Sequence, residues 1–313
     1  MQSNMIWAYL IHLSSNMWGD PDSNEKYSRY HSHLITNDSI WQQVTSFLPS
    51  RGINTLVIDL GDAVQYESHP EIAVKGAWSK QRLHDELARI RALGMTPIPK
   101  LNFSAGHDAW LGKYSRMVAT PEYYQVCKDL IAETVELFDH PSLFHLGMDE
   151  EDYANQRKYR LCVIRNDTLW WQDAHYFFDL CEKAGARPWV WADRYWSFPE
   201  DYLAHMPTSV LQSNWFYWPI TRRPDGSYEK IGMAAYEALD RAGYDQVLTS
   251  STWNFAHNSL ETMQLGRDTL SAARVKGYMT APWVFTTEEE QYALLNDAQR
   301  FWYARKQVYP ETL

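Results

Sequence analysis

Three cysteines occur among 313 residues, and none forms a C-x-x-C pair. This scarcity argues against a disulfide framework and gives no zinc signature, so we expect buried free thiols. The sequence also lacks a G-x-G-x-x-G and a P-loop motif, which leaves a nucleotide-binding sheet without support. It contains no basic cluster, and its net charge of −10 argues against nucleic acid or an anionic membrane as a partner.

Long hydrophobic runs are absent from the N-terminus. The stretch "MQSNMIWAYLIHLSSNMW" has no basic leading region, and His12 interrupts its apolar run early. It is typical of neither a signal peptide nor a membrane span. We therefore expect a cytoplasmic protein as encoded, or a secreted or periplasmic one if a signal was removed earlier.

Aromatic residues are abundant: 15 Trp, 20 Tyr and 11 Phe. The clusters "LWW", "PWVWADRYW" and "NWFYW" exceed what a hydrophobic core requires. Flat aromatic faces suit the apolar faces of sugar rings, and an indole N–H adds a hydrogen-bond donor. Any single Trp is still more often a core residue than a ligand contact.

Eight short apolar runs alternate with longer amphipathic stretches. The runs read as buried parallel strands, because most are continuously apolar rather than alternating. Eight strand–helix repeats without a linker predict a single (β/α)8 TIM barrel over residues 1–313, with a doubly wound sheet as the alternative. The predicted strands are 5–13, 54–60, 96–103, 143–148, 187–192, 209–215, 246–251 and 277–285.

Four consecutive carboxylates follow the fourth predicted strand in "LFHLGMDEEDY". In a barrel the chemistry collects at the carboxyl ends of the strands. After Gly147 the chain can turn and bring both Asp149 and Glu150 towards one pocket. Between two neighbouring carboxylates surrounded by Trp, one should keep its proton and serve as general acid. Glu151 and Asp152 are predicted to be solvated loop or first-turn charges.

A divalent-metal site at Asp149, Glu150 and Asp152 is a weaker interpretation. A hard cation prefers oxygen ligands, whereas the expected neighbours of these carboxylates are aromatic. We therefore predict no metal and no cofactor.

The residues around this motif resemble a known family. "HLGMDE" (145–150) is similar to the H-x-G-x-D-E motif of family 20 glycoside hydrolases, the β-N-acetylhexosaminidases. The resemblance extends across the barrel, but only the Asp-Glu pair is a sharp match. The supporting segments are 52–72, 95–111, 189–194, 210–218, 246–255 and 277–285. We expect no counterpart here of the accessory α/β domain that usually precedes this barrel.

This resemblance implies substrate-assisted, retaining hydrolysis of a β-linked N-acetylhexosamine. Asp149 would orient the 2-acetamido group of the substrate, and Glu150 would be the general acid and base. The remaining implied site residues are substrate-binding: His107 and His145 would support the pair, Trp191, Trp215 and Trp283 would wall the acetamido pocket, and Trp253 and Asn254 would occupy the place of the family's Y-x-D on strand seven.

The sequence departs from the family at the contacts to sugar hydroxyls. Strand one lacks the expected Arg, strand eight lacks a Glu, and Lys100 stands where strand three normally has Glu. These losses favour a second hypothesis, a barrel that binds glycans without cleaving them. A third hypothesis is a glycosidase with a protein nucleophile, for which Asp59, Asp62 or Asp193 are candidates. We keep a homo-oligomer as a hypothesis, because a second subunit could cover the barrel surface that an accessory domain would otherwise cover.

Overall fold

The computed structural model describes residues 5–17, 25–220 and 227–313. Eight parallel strands close into one barrel in sequential order, and β8 pairs with β1. Each strand falls within or overlaps a predicted one, so the (β/α)8 barrel is confirmed. The strands are β1 Ile6–His12, β2 Thr55–Asp59, β3 Thr96–Lys100, β4 Leu143–His145, β5 Arg187–Trp191, β6 Leu211–Ser213, β7 Gln246–Ser250 and β8 Val275–Thr280.

Helices surround the barrel and bury their apolar faces against the outward side of the sheet. They are α1 Asp38–Phe47, α2 Lys80–Ala92, α3 Pro121–Leu137, α4 Tyr153–Gln156, α5 Asp167–Lys183, α6 Arg194–Ser197, α7 Pro199–His205, α8 Ser227–Arg241, α9 Asn258–Thr269 and α10 Gln291–Val308. No helix in the described ranges is both long and apolar enough to span a bilayer.

Local capping explains several helix starts. The Thr120 hydroxyl accepts the N–H of Tyr123, and Pro121 occupies the first position of α3. A short 3-10 helix, Glu288–Glu290, precedes α10, and Thr287 makes no side-chain cap there. The Glu290 carboxylate instead accepts hydrogen bonds from Lys26 and Tyr27.

The barrel interior is filled by residues at alternate strand positions, as the period of a strand requires. Apolar side chains such as Leu10, Val57 and Ile98 form its floor. One layer higher, the register aligns four polar residues across neighbouring strands: His12 with Asp59, Asp59 with Lys100, and Lys100 with His145. All four residues are at most 2% exposed.

Candidate active site

A cavity of about 420 Å³ opens at the carboxyl ends of the strands. Its wall comes from β4 to β8 and from a segment of the β1–α1 connection. The described residues that line it are Glu25, Tyr27, Ser28, Asp149, Glu150, Trp191, Trp215, Tyr217, Trp218, Trp253, Asn254 and Trp283. Seven of the nine predicted site residues are therefore brought together in one pocket, and His107 and His145 lie outside its lining.

The turn after β4 aims both carboxylates at this pocket. Gly147, Met148 and Glu150 all have left-handed backbone angles, with φ of 70°, 73° and 53°. Only glycine fits at position 147, since a Cβ there would lie 2.0 Å from Asn102 Oδ1. Left-handed Met and Glu are strained, and such strain persists only where surrounding contacts hold it in place.

Asn102, at the end of β3, supplies part of that support. Its side-chain amide donates to Asp149 Oδ1 at 2.7 Å. Its side-chain oxygen, Oδ1, accepts the backbone N–H of Met148 at 3.1 Å and that of Ser104 at 3.0 Å. One buried amide therefore fixes both the turn and the orientation of the Asp149 carboxylate.

His107 joins the two carboxylates. Its Nε2 lies 3.2 Å from Glu150 Oε2 and 3.5 Å from Asp149 Oδ2. Burial opposes a charge on this imidazole, but Asp149 and Glu150 outweigh burial and raise the pKa of His107 to about 9. At neutral pH His107 is therefore a cation that donates into the carboxylate pair.

Asp193, just after β5, is a third carboxyl beside the pair. Its Oδ2 accepts the backbone N–H of Glu150 at 2.8 Å, and its Oδ1 lies 3.4 Å from the indole nitrogen of Trp215. Burial and the neighbouring Asp149 raise the pKa of Asp193 to about 8. Asp193 is consequently protonated at neutral pH. Its two oxygens contact the strained backbone of Glu150 and the indole of Trp215 in the pocket wall.

Glu151 is not the solvated charge that its sequence context predicts. Its side chain is 2% exposed and forms an ion pair with buried Arg165, which also bonds Asp173 at 3.0 Å. Glu151 also accepts the backbone N–H of Ala105 at 2.9 Å. This network ties the β4 loop to the β3 loop that holds His107. Asp152 caps α4, in agreement with a first-turn position.

Aromatic rings form the base and sides of the pocket. Trp191 lies 5.8 Å from Trp283, and Trp215 stacks on Tyr217 at 5.1 Å between ring centroids. Trp283 has a φ of 55°, an outlier for a bulky residue, at the position where its ring enters the pocket. The buried indole N–H of Trp191 makes no hydrogen bond within the described part of the chain. A buried donor without a partner is uncommon in a folded protein.

The remaining predicted residues differ in depth. Trp253 and Asn254 stand exposed at the rim, with Trp253 50% accessible. His145 lies fully buried beneath the site, where its Nδ1 accepts the N–H of Gly147 at 3.1 Å. Burial, with Lys100 nearby, lowers the pKa of His145 well below its ordinary value, so this imidazole is neutral. It supports the turn from below.

The candidate protein nucleophiles of β2 do not reach the described lining of the pocket. Lys100 Nζ lies 2.6 Å from Asp59 Oδ2, with His12 Nδ1 at 3.3 Å. Burial opposes the charge on Asp59, but Lys100 and His12 lower its pKa to about 2. Asp62 instead accepts hydrogen bonds from Ser14 at 2.7 Å and Asn16 at 2.6 Å.

The side chains of His107, Asp149 and Glu150 could also coordinate a metal ion. One ligand atom from each lies within 4.8 Å of the others. An ion bound there would have to displace the proton that gives His107 its positive charge. Asp152, the third ligand considered from sequence, is occupied by capping α4.

Tyr217, Trp218, Tyr27 and Glu25 line the pocket although the sequence did not single them out. A signal for Tyr217 existed: in "NWFYW" it lies two residues after Trp215, and alternate residues of an extended segment share a face. Burial raises the pKa of Tyr217 well above its ordinary value, so its hydroxyl stays neutral beside Trp283. The segment of Glu25 and Tyr27 has no comparable pattern in the sequence.

The sequence matches no protein-family model and no curated protein. Its structure is similar to solved β-N-acetylhexosaminidases. The Flavobacterium johnsoniae chitobiase superposes with a TM-score of 0.61 at 16% identity, over 90% of this chain and 49% of its own. The family 20 enzyme from Streptomyces coelicolor gives 0.62 at 13%, over 94% and 63%. A Streptomyces plicatus β-hexosaminidase mutant in complex with GlcNAc gives 0.64 at 12%, over 97% and 68%.

These superpositions show a shared fold. The barrel of this chain has the architecture of the family 20 hexosaminidase barrels, at a sequence identity of only 12 to 16% in these three comparisons. The chain spans about half the length of the chitobiase. Which reaction its own pocket performs has to be argued from the side chains.

Proposed function

We propose that this chain is a retaining glycoside hydrolase that releases β-linked N-acetylhexosamine by substrate-assisted catalysis. The proposal depends on one observation above all: Asp149 and Glu150 line the same aromatic pocket, on a strained turn that Asn102 and Asp193 hold in place. A site that only bound glycans would not need two adjacent carboxylates on a strained backbone.

In the first step the protonated form of Glu150 donates its proton to the glycosidic oxygen, the bond from that oxygen to the anomeric carbon breaks, and the leaving group departs as an alcohol. The carbonyl oxygen of the 2-acetamido group attacks the anomeric carbon from the opposite face and forms an oxazolinium ring. The Asp149 carboxylate accepts the acetamido N–H and stabilises the positive charge that develops there. His107, 3.2 Å from Glu150, stabilises the carboxylate that remains after proton transfer.

In the second step Glu150 removes a proton from water, which attacks the anomeric carbon and opens the ring. Two inversions give retention of configuration. The aromatic wall suits both parts of this substrate, since rings stack on the apolar sugar face and enclose the acetamido methyl group. The S. plicatus relative, whose structure contains GlcNAc, supports a sugar of this class.

The test is hydrolysis of 4-nitrophenyl β-glycosides of N-acetylglucosamine, N-acetylgalactosamine and glucose, with wild type and Glu150→Gln compared. We expect turnover of N-acetyl substrates alone. Gln is isosteric but cannot donate the proton, so the loss should be about 10²- to 10⁴-fold. The same assay with a chelator present tests a metal at His107, Asp149 and Glu150, because metal-dependent turnover would then disappear.

Turnover of the glucoside would reject substrate assistance and point to a protein nucleophile. Absence of turnover on all three, together with glycan binding, would favour a non-catalytic glycan-binding barrel. Full activity in Glu150→Gln would remove Glu150 from the mechanism.

A further inference from the structure

The hydroxyl groups of a bound sugar need hydrogen-bond partners, and few lining residues from the barrel strands and their loops can supply them. Most lining residues are aromatic, and Asp149 and Glu150 are committed to the reaction under the proposed function. A hydroxyl that loses its water on entering a pocket costs free energy unless a polar group replaces that water. Among the described lining residues, the other short polar or charged side chains are Glu25, Ser28 and Asn254.

Glu25 and Ser28 belong to one short segment, residues 25–28, which we call the strap. It ends in a 3-10 turn, Lys26–Ser28, within the connection between β1 and α1. The strap provides the only described lining residues from the β1–β3 side of the barrel mouth. It therefore completes the described lining at a part of the mouth that the loops after β4–β8 do not supply.

Contacts at both ends hold the strap across the mouth. On the β8 side, Lys26 and Tyr27 both bind the Glu290 carboxylate, Tyr27 at 2.7 Å. The Tyr27 ring also lies 5.2 Å from Phe285 and 5.6 Å from Trp253. These contacts fix the position of the segment relative to the aromatic wall.

On the β4 side, Lys158 Nζ lies 3.0 Å from Glu25 Oε1. Lys158 belongs to the loop that follows the catalytic turn. The two side chains are 63% and 59% exposed, and an ion pair so exposed adds little stability. In the structure this contact places the Glu25 carboxylate at the rim of the pocket. A carboxylate held in place is a strong acceptor for hydroxyl groups.

We propose that the strap is the hydroxyl-binding element of the sugar site, with Glu25 accepting hydrogen bonds from ring hydroxyls and Lys158 positioning its carboxylate. This inference deepens the proposed function and depends on it for the identity of the sugar. It gives the strap a role in substrate specificity and in substrate affinity rather than in the chemical step.

The experiment compares wild type, Glu25→Gln and Lys158→Met on the 4-nitrophenyl 2-acetamido glycoside and on its 3-, 4- and 6-deoxy analogues. Calorimetric binding of the free sugars runs in parallel. Glu67→Gln is the matched control, because Glu67 also lies 3.0 Å from a lysine, Lys80, but outside the described lining of the pocket.

We expect Glu25→Gln to raise KM and Kd about 10- to 100-fold, with a much smaller change in kcat. At least one deoxy sugar should lose a similar factor with wild type and lose nothing further with Glu25→Gln, which is the signature of a direct contact. Lys158→Met should have a smaller effect in the same direction, and Glu67→Gln should behave as wild type.

Wild-type KM and Kd in Glu25→Gln would overturn the inference, and so would equal losses on all deoxy sugars in both proteins. If wild type binds the sugars without hydrolysing them, the proposed function fails, while the deoxy binding series still decides the role of the strap. If wild type binds none of the sugars, both proposals fall.

Discussion

The two halves of the barrel mouth use polar residues in opposite ways. Over β1–β3 the described strand ends are closed: Asp59 contacts both Lys100 and His12, and Asp62 accepts hydrogen bonds from Ser14 and Asn16. Over β4–β8 the strand ends surround an open cavity. The same architecture thus supports a self-satisfied charged core on one side and a ligand site on the other.

The two halves differ in what the polar side chains at their strand ends face. In the closed half the charge of Asp59 is balanced by Lys100, and Asp62 accepts hydrogen bonds from two neutral side chains. In the open half Asp149 and Glu150 face a cavity, and Trp191 presents a buried N–H that the described residues do not bond. We therefore expect substitutions in the closed half to lower stability and substitutions in the open half to lower activity.

The largest expected effect follows from Lys100→Met in the closed half. This change leaves the Asp59 carboxylate buried with only His12 beside it. The free energy of unfolding should fall by about 3–5 kcal/mol, measured by urea denaturation at pH 7. Lys183→Met, which breaks an ion pair with 64% exposed Asp179, should cost at most about 1 kcal/mol.

Equal losses in those two lysine variants would contradict the closed-half account. A double variant, Lys100→Met with Asp59→Leu, sharpens it. Removing both charges should recover most of the lost stability, because no buried carboxylate is then left without a cation.

Asp193→Asn is expected to have an intermediate effect that depends on pH. Burial and Asp149 raise the folded-state pKa of Asp193 to about 8, against 3.8 ordinarily. The folded protein therefore keeps a proton that the unfolded chain releases as pH rises above about 4. This contribution to stability is complete below pH 4 and is lost progressively up to pH 8.

Asn keeps an oxygen that can accept the N–H of Glu150 but does not titrate. The stability of Asp193→Asn relative to wild type should therefore rise between pH 4 and 8, by at most about 1.4 kcal/mol per pH unit. Thermal unfolding across this range is the measurement. Parallel pH profiles for the two proteins would show that Asp193 is ionised in the folded state.

The smallest expected effect on stability is that of Trp253→Ala at the open rim. The ring is 50% exposed, so the free energy of unfolding should change by less than about 1 kcal/mol. Loss of a stacking surface should raise KM about 5- to 15-fold. Tyr303→Ala, 53% exposed on α10, is the control and should leave KM unchanged. An unchanged KM in Trp253→Ala would show that the Trp253 ring at the rim does not contact the sugar.

The sequence predicted the barrel well because eight apolar runs needed burial on both faces, and each run became a strand. It also predicted that the chain turns after Gly147 and brings Asp149 and Glu150 towards one pocket, and both residues line that pocket. Glu151 was misassigned because its partner Arg165 lies 14 residues away, in a loop without a periodic pattern. The bonds of Asn102 and Asp193 to the turn likewise join different strands, and no local sequence signal records such pairs.

Lys100 shows that an unexpected residue in a sequence can acquire a physical explanation only in three dimensions. In the sequence it replaces an expected Glu. In the structure the register of β2 and β3 places it beside Asp59, where it completes a buried ion pair. The substitution therefore belongs to the closed half of the mouth and not to the described lining of the pocket.

We propose that the acetamido group of the substrate is the nucleophile and that Asp149 orients it. The most direct measurement is kcat/KM for aryl glycosides that carry N-acetyl, N-fluoroacetyl, N-difluoroacetyl and N-trifluoroacetyl groups. Fluorine withdraws electrons from the carbonyl oxygen, so the account predicts a steep fall in rate along the series for the wild type. Rates that do not depend on fluorine content would contradict it and would assign the attack to a group of the protein.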